Sequence, residues 1–177
     1  MLDKTANLVL IGMPGSGKST TGAILAKMTS RGFIDTDLLI EAKGGRTLQT
    51  IVDQDGYLAL RAIEERVLLD LNCRGHVIAT GGSAVYSQAA MEHLRKHGVI
   101  VFLDMDLDTL KARVPDFGAR GLAKRPDQSV SDLFAERYAL YRQYADITVD
   151  CAVCGHEEVC ARIIEAFAKW ERRDPAP

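Results

Sequence analysis

Gly12-Met13-Pro14-Gly15-Ser16-Gly17-Lys18-Ser19-Thr20 follows directly on the apolar run Leu8-Val9-Leu10-Ile11. Its spacing, G-x-x-x-x-G-K-S between a buried strand and a helix, is the context that a phosphate-binding loop requires. The glycines let the backbone curl so that consecutive N–H groups point inward. They form an anion nest capped by the positive end of the helix that starts near Lys18. Such a nest fits a nucleoside triphosphate, and the expected contacts are Gly12, Gly15, Ser16, Gly17, Lys18, Ser19 and Thr20. Lys18 reaches the β- and γ-phosphates as a point charge, the Ser19 hydroxyl is one ligand of a Mg²⁺ ion bridging the same phosphates, and Thr20 assists from the first helical turn.

Outward from the loop, five short apolar runs read as buried parallel strands: Leu8–Ile11, Gly32–Ile34, Val77–Ala79, Val99–Leu103 and Ile147–Val149. Helical patterns separate them at Lys18–Met28, Leu58–Leu71, Ser87–His97, Leu107–Val114, Ser129–Tyr144 and Glu157–Trp170. Ser87, Ser129 and either Asp106 or Asp108 are the expected N-caps. Strands alternating with helices imply a three-layer α/β domain, a parallel sheet with helices on both faces. Ligands of such sheets bind at the carboxyl ends of the strands. The chemistry is therefore expected at Asp35-Thr36-Asp37, at Gly81-Gly82-Ser83, and at Asp104 with the arginine- and glycine-rich stretch after it.

The 177 residues suit one domain, 1–177, with a frayed polar tail at 171–177. A content of 47% apolar and 26% charged residues is that of a globular protein, and a net charge of −2 argues against nucleic-acid or membrane partners. The start, Met1-Leu2-Asp3-Lys4-Thr5, shows no basic leader, and no apolar run approaches the roughly 18 residues of a membrane span, so a cytoplasmic location is expected. Cys151-x-x-Cys154 with His156 nearby invites a zinc or redox reading. With no second ligand pair at a recognisable spacing, ordinary reduced thiols are expected at Cys73, Cys151, Cys154 and Cys160, the last on the apolar side of the final helix.

The order of these pieces resembles shikimate kinase, within the nucleoside-monophosphate-kinase-like group of phosphate-loop enzymes. The resemblance rests on Gly12–Thr20, Phe33-Ile34-Asp35-Thr36-Asp37 with Ile40-Glu41, Gly45-Arg46-Thr47, Leu60-Arg61 with Glu64-Glu65, Thr80-Gly81-Gly82, and Arg137 with Leu140-Tyr141-Arg142 and Ala145-Asp146. It implies a five-stranded parallel sheet in the order 2-3-1-4-5, a substrate-binding segment at about 36–64 and a mobile lid at about 114–127. It also implies ATP as phosphoryl donor and a monomer. Asp35, at a strand end, is the candidate to fix Mg²⁺ through water. Asp37, one alternation further, is the candidate to orient the acceptor hydroxyl and take its proton, and it also suits a cap on a helix beginning at Leu38. Arg61 and Arg137 match the two arginines that grip the substrate carboxylate, a task suited to the guanidinium fork, although a helix-face salt bridge from Arg61 to Glu64 or Glu65 is the plainer alternative. Gly81 and Gly82 would let the backbone approach the substrate. Arg113 matches the arginine that stacks on adenine, and Arg120 the lid arginine that neutralises the transferred group. Arg125, preceding Pro126, is the competing lid arginine.

Departures from the family pattern cluster in the acceptor pocket and the lid. Val52 and Leu60 stand where aromatic rings pack against shikimate, Gly56-Tyr57 replaces a Gly-Glu pair, and Ser83 replaces a third glycine. The lid reads Arg120-Gly121-Leu122-Ala123 against Arg-Pro-Leu-Leu, and Cys151–His156 replaces the adenine-side loop. Losing two ring contacts costs ~1–3 kcal/mol of packing unless Tyr57 compensates. Two arginines and an aspartate specify a small hydroxy-carboxylate. Phosphorylation of shikimate to shikimate 3-phosphate is therefore the leading expectation, a kinase of another such metabolite, for example homoserine, the alternative, and a catalytically silent nucleotide-binding module a second alternative.

Overall fold

The computed structural model describes residues 4–114, 122–152 and 154–173. β1 (Asn7–Ile11) is buried at every residue, because it lies at the centre of a five-stranded sheet of order β2-β3-β1-β4-β5. The other strands are β2 (Gly32–Asp35), β3 (His76–Ala79), β4 (Gly98–Asp104) and β5 (Ile147–Asp150). Every pairing is parallel, with Leu8 opposite Val77 and Val99, and Asp35 opposite Ala79. Continuous apolar runs are what parallel strands covered on both faces require. Not all five strands are buried as expected: β2 is half-exposed, and β5 alternates buried and exposed residues. Both are edge strands, flanked on one side only.

The helices are α1 (Lys18–Thr29), α2 (Thr36–Gly44), α3 (Leu48–Asp55), α4 (Tyr57–Leu69), α5 (Gln88–Arg95), α6 (Leu107–Arg113), α7 (Val130–Tyr144) and α8 (His156–Arg173). Ser87, Asp106 and Ser129 cap α5, α6 and α7, accepting from the backbone N–H of Ala90, Thr109 and Asp132, each satisfying a donor that the helix leaves unpaired. α8 runs three residues past the expected end, so residues 171–173 are helical rather than frayed; 174–177 lie outside the described residues. A single turn of 3-10 helix, Ala84–Tyr86, follows the glycines after β3.

α1 and α8 pack together on the sheet, and α4, α5 and α7 gather about the 3-10 turn. The main core centres on β1 and β4, where Phe102 stacks on Tyr141 at 5.2 Å and meets Tyr138 edge-on at 5.7 Å. A smaller core forms from α2, α3 and α4 around Ile40, Ile51, Leu60 and Val67, and Ala123 of the lid region packs into it. This second core holds α2, α3 and α4, the segment expected to bind substrate, together beyond the end of β2. Among the described residues no helix is long and apolar enough to cross a membrane.

Candidate active site

Gly17, the N-cap of α1, adopts a left-handed conformation at φ 90° that strains any residue with a Cβ. Lys18 then begins the helix buried, and its Nζ donates to the carbonyls of Gly12 and Met13 at 2.8 and 2.9 Å. Burial lowers its pKa to about 8, with Asp37 opposing the shift, so the side chain stays cationic at neutral pH. Above the loop lies a cavity of about 910 Å³. Gly15, Ser19, Arg113 and His156 line its phosphate-loop side, and Asp37, Leu60, Glu64, Ser83 and Arg137 its other side.

On that other side Gly81 separates two acids. A Cβ there would lie 2.7 Å from Asp37 Oδ1 and would collide with Glu64 Oε1. Thr36 Oγ1 fixes the turn by accepting from the Gly81 N–H at 3.1 Å. Asp37 Oδ1 is buried and has no hydrogen-bond partner. Burial raises its pKa to about 6 against the pull of Lys18. Glu64 accepts a hydrogen bond from Ser83 Oγ, and burial pushes its pKa up to about 7 despite that bond. A Cβ on Gly82 would meet Pro14 Cδ at 2.7 Å and Arg137 Nη1 at 2.9 Å. The Gly82 carbonyl is held by the Tyr141 hydroxyl at 2.6 Å.

Arg137 is only 1% exposed, yet its Nε, like that of Arg61, is buried without a hydrogen-bond partner. Both guanidinia converge on one atom: Arg61 Nη2 and Arg137 Nη2 donate to the Ala123 carbonyl at 3.1 and 3.0 Å. The site thus joins a triphosphate cradle, an unpartnered buried carboxylate oxygen and a pair of converging guanidinium groups. Residues 14–168 match the family model described as shikimate kinase. The chain belongs to the shikimate kinase family.

Relatives within the shikimate kinase family include shikimate kinase 2 of Enterobacter sp. (strain 638), 35% identical over 92% of this chain and 96% of the relative. The shikimate kinase of Gloeobacter violaceus is 40% identical over 84% of this chain and 85% of its own. Among solved structures, the Acinetobacter baumannii shikimate kinase in complex with shikimate superposes with a TM-score of 0.86 at 30% identity, covering 93% of this chain and 94% of that one. The enzyme of Aquifex aeolicus gives 0.77 at 29% identity over 92% and 96%. The family match, these relatives and the shikimate-bound structure bear out the leading expectation, ATP-dependent phosphorylation of shikimate by a phosphotransferase acting on an alcohol group.

The structure brings most of the expected shikimate kinase site to one cavity. Gly15, Gly17, Lys18, Ser19, Thr20, Asp37, Gly82, Arg113 and Arg137 line it, while Gly12, Ser16, Asp35, Arg61 and Gly81 are not part of its wall. Arg120 is outside the described residues. Its competitor Arg125 pairs with Glu136 at 3.4 Å and is absent from the cavity wall. Asp35, not Asp37, caps α2, which begins at Thr36 rather than Leu38; its Oδ1 accepts from the N–H groups of Asp37 and Leu38 at 3.0 and 3.3 Å. No ion pair joins Arg61 to Glu64 or Glu65 among the described residues, since Glu64 turns to Ser83. Of the two positions that lack family aromatics, Leu60 lines the cavity while Val52 packs into the small core. Tyr57 turns its ring to Arg61, 5.2 Å from the guanidinium carbon.

Some contacts among the expected residues had no sequence signal. Arg113 Nη2 donates to the carbonyls of Cys151 and Ala152 at 3.1 and 3.2 Å, tying α6 to the Cys151–His156 loop. His156 Nδ1 lies 3.0 Å from Thr21 Oγ1, which sets its ring against Gly17. All four cysteines are free thiols, and burial raises the Cys151 pKa to about 12. Among the described residues no group of three His, Cys, Asp or Glu side chains is placed to hold a metal.

Proposed function

We propose that Lys18, Asp37, Arg61 and Arg137 carry the ATP-dependent phosphorylation of shikimate, the reaction of the family to which the chain belongs. The observation that carries this division of labour is Asp37 Oδ1, buried and unpartnered within reach of the Lys18 charge. An acceptor hydroxyl bound there satisfies that oxygen, and the carboxylate takes its proton as the γ-phosphoryl group leaves ATP. The acceptor carboxylate is held at the other end by Arg61 and Arg137, whose Nε–H donors are free of protein partners. Two charge-assisted contacts on fixed planes turn binding into orientation, the main source of rate in phosphoryl transfer.

On the donor side, Gly12, Gly15, Ser16, Gly17, Ser19 and Thr20 cradle the phosphates and Arg113 meets the adenine. Gly81 and Gly82 admit the acceptor by leaving its path clear of side chains, and Arg120 comes over the transferred group from the lid. An ATP-using kinase requires a divalent cation, and the reading specifies Mg²⁺. The donors fit such an ion: Ser19 Oγ and the Asp35 carboxylate are hard oxygen ligands, and both capping bonds of Asp35 fall on Oδ1, leaving Oδ2 for other partners. Mg²⁺ there supplies charge neutralisation at the β- and γ-phosphates.

A coupled ADP-release assay with ATP, Mg²⁺ and a panel of shikimate, homoserine, gluconate and nucleoside monophosphates tests the reading. Turnover is expected on shikimate, with loss of at least ~100-fold in kcat for Asp37→Asn. Undiminished transfer by that variant removes Asp37 from the mechanism. Arg137→Ala is expected to raise the KM for shikimate ~10-fold or more while that for ATP barely moves.

A further inference from the structure

The 3-10 turn after Gly81-Gly82 places Tyr86 beneath both carboxylate-binding arginines. Its ring centroid lies 3.5 Å from the Arg61 guanidinium carbon and 5.4 Å from that of Arg137. The ring is itself tethered, since the Tyr86 hydroxyl donates to Glu136 Oε1 at 2.5 Å. Glu136 Oε2 in turn accepts from Gln128 Nε2 at 2.9 Å and pairs with Arg125. We propose that Tyr86 is a positioning residue for the acceptor carboxylate, its ring forming a shelf that holds the Arg61 and Arg137 guanidinia in register.

The physical need for a shelf is specific. Two like charges brought onto one oxygen, the Ala123 carbonyl, repel each other, and neither has a carboxylate ion-pair partner among the described residues. The negative face of an aromatic ring offsets that repulsion, and a planar guanidinium lying flat on it loses its freedom to roll. A guanidinium that cannot roll presents its remaining N–H donors in one plane, which is what a carboxylate demands. Tyr57 adds a second ring to Arg61. The aromatic surface that other members place against the substrate ring is thus applied in this chain to the groups that hold its carboxylate.

This inference rests on the assignment of Arg61 and Arg137 to the acceptor carboxylate. The test is steady-state kinetics on Tyr86→Leu and Tyr86→Phe beside Arg137→Ala, with thermal melting as a check on folding. Tyr86→Leu is expected to raise the KM for shikimate about tenfold, with kcat and the KM for ATP changing by no more than about threefold. Tyr86→Phe keeps the ring face without the tether and is expected to recover most of that loss. Should the Leu variant fail to fold, Tyr86→Met, of similar length but without an aromatic face, gives the same readout. An unchanged shikimate KM in the Leu or Met variant, an equal rise for ATP, or a Phe variant as impaired as Leu overturns the proposal. If Arg137→Ala raises the shikimate KM while Tyr86→Leu does not, the shelf alone falls; if Arg137→Ala leaves it unchanged, the carboxylate grip falls with it.

Discussion

At the residue scale, the proposed chemistry depends on two groups, Asp37 and Lys18, that burial moves from their ordinary protonation ranges. Asp37, raised to about 6, must be ionised to accept a proton, and Lys18, lowered to about 8, must be charged to meet the phosphates. The profile of kcat/KM against pH is therefore expected to be bell-shaped, falling below pH about 6 and above about 8, because kcat/KM reports the free enzyme. A profile flat from pH 5 to pH 7 would contradict the role of Asp37. Glu64 gives a stability prediction of definite sign. Its carboxyl titrates near 4.5 when unfolded and at about 7 when folded, so the native state holds an extra proton between those values. The cost of burying its charge is absent below the lower value, grows through the interval and is complete above the upper one. Glu64→Gln keeps an acceptor for Ser83 Oγ and is expected to stabilise the protein by roughly 1–3 kcal/mol at pH 8, with no gain near pH 4. Melting temperatures across that range check it, and a gain independent of pH would show that ionisation is not the cause.

At the scale of single elements, α2 couples folding to chemistry through its first turn. Asp35 holds the N–H of Asp37 itself, so the cap of the helix also places the base. Asp35→Ala is expected to cost about 1 kcal/mol of stability and to lower kcat, because Asp37 loses its backbone anchor. Asp35→Asn separates the two duties: an amide oxygen still caps, but the charge offered to the metal is gone. Restored stability with kcat still depressed is expected in denaturant titrations and assays; full recovery of kcat would reduce Asp35 to a cap. That duality was invisible in the sequence, where Asp37 and Leu38 suggested a cap two residues too late. α2 and α3 span nine and eight residues and were not among the helices read from apolar pattern, although α5 and α6, which are no longer, were found with the help of their capping residues Ser87 and Asp106. The strands and the longer helices were legible because each is set by contiguous residues.

For the whole molecule, the two halves of the cavity differ in how far apart in the chain their makers lie. The loop expected to hold the phosphates is one uninterrupted segment, Gly12 to Thr20, and Gly15, Gly17, Lys18, Ser19 and Thr20 of it stand in the cavity wall. The acceptor half is assembled from Glu64 with Ser83, 19 residues apart, and from Arg61 with the Ala123 carbonyl, 62 apart. Ser83 stood out as a departure from the family pattern, but its partner Glu64 was beyond local reading, and a main-chain carbonyl has no residue signature at all. A cavity walled by most of the chain ties ligand binding to global stability. A non-hydrolysable ATP analogue at a hundredfold its Kd is expected to add about 2.7 kcal/mol, a rise in Tm of roughly 5–10 °C. A shift below about 1 °C at that occupancy would show that the cavity does not take the nucleotide. The carbonyl shared by Arg61 and Arg137 has a consequence for how this lineage can change. Because the oxygen belongs to the peptide chain, no replacement of the side chain at position 123 deletes it, so the anchor of the two arginines is guarded not by the identity of that residue but by the small core into which Ala123 packs.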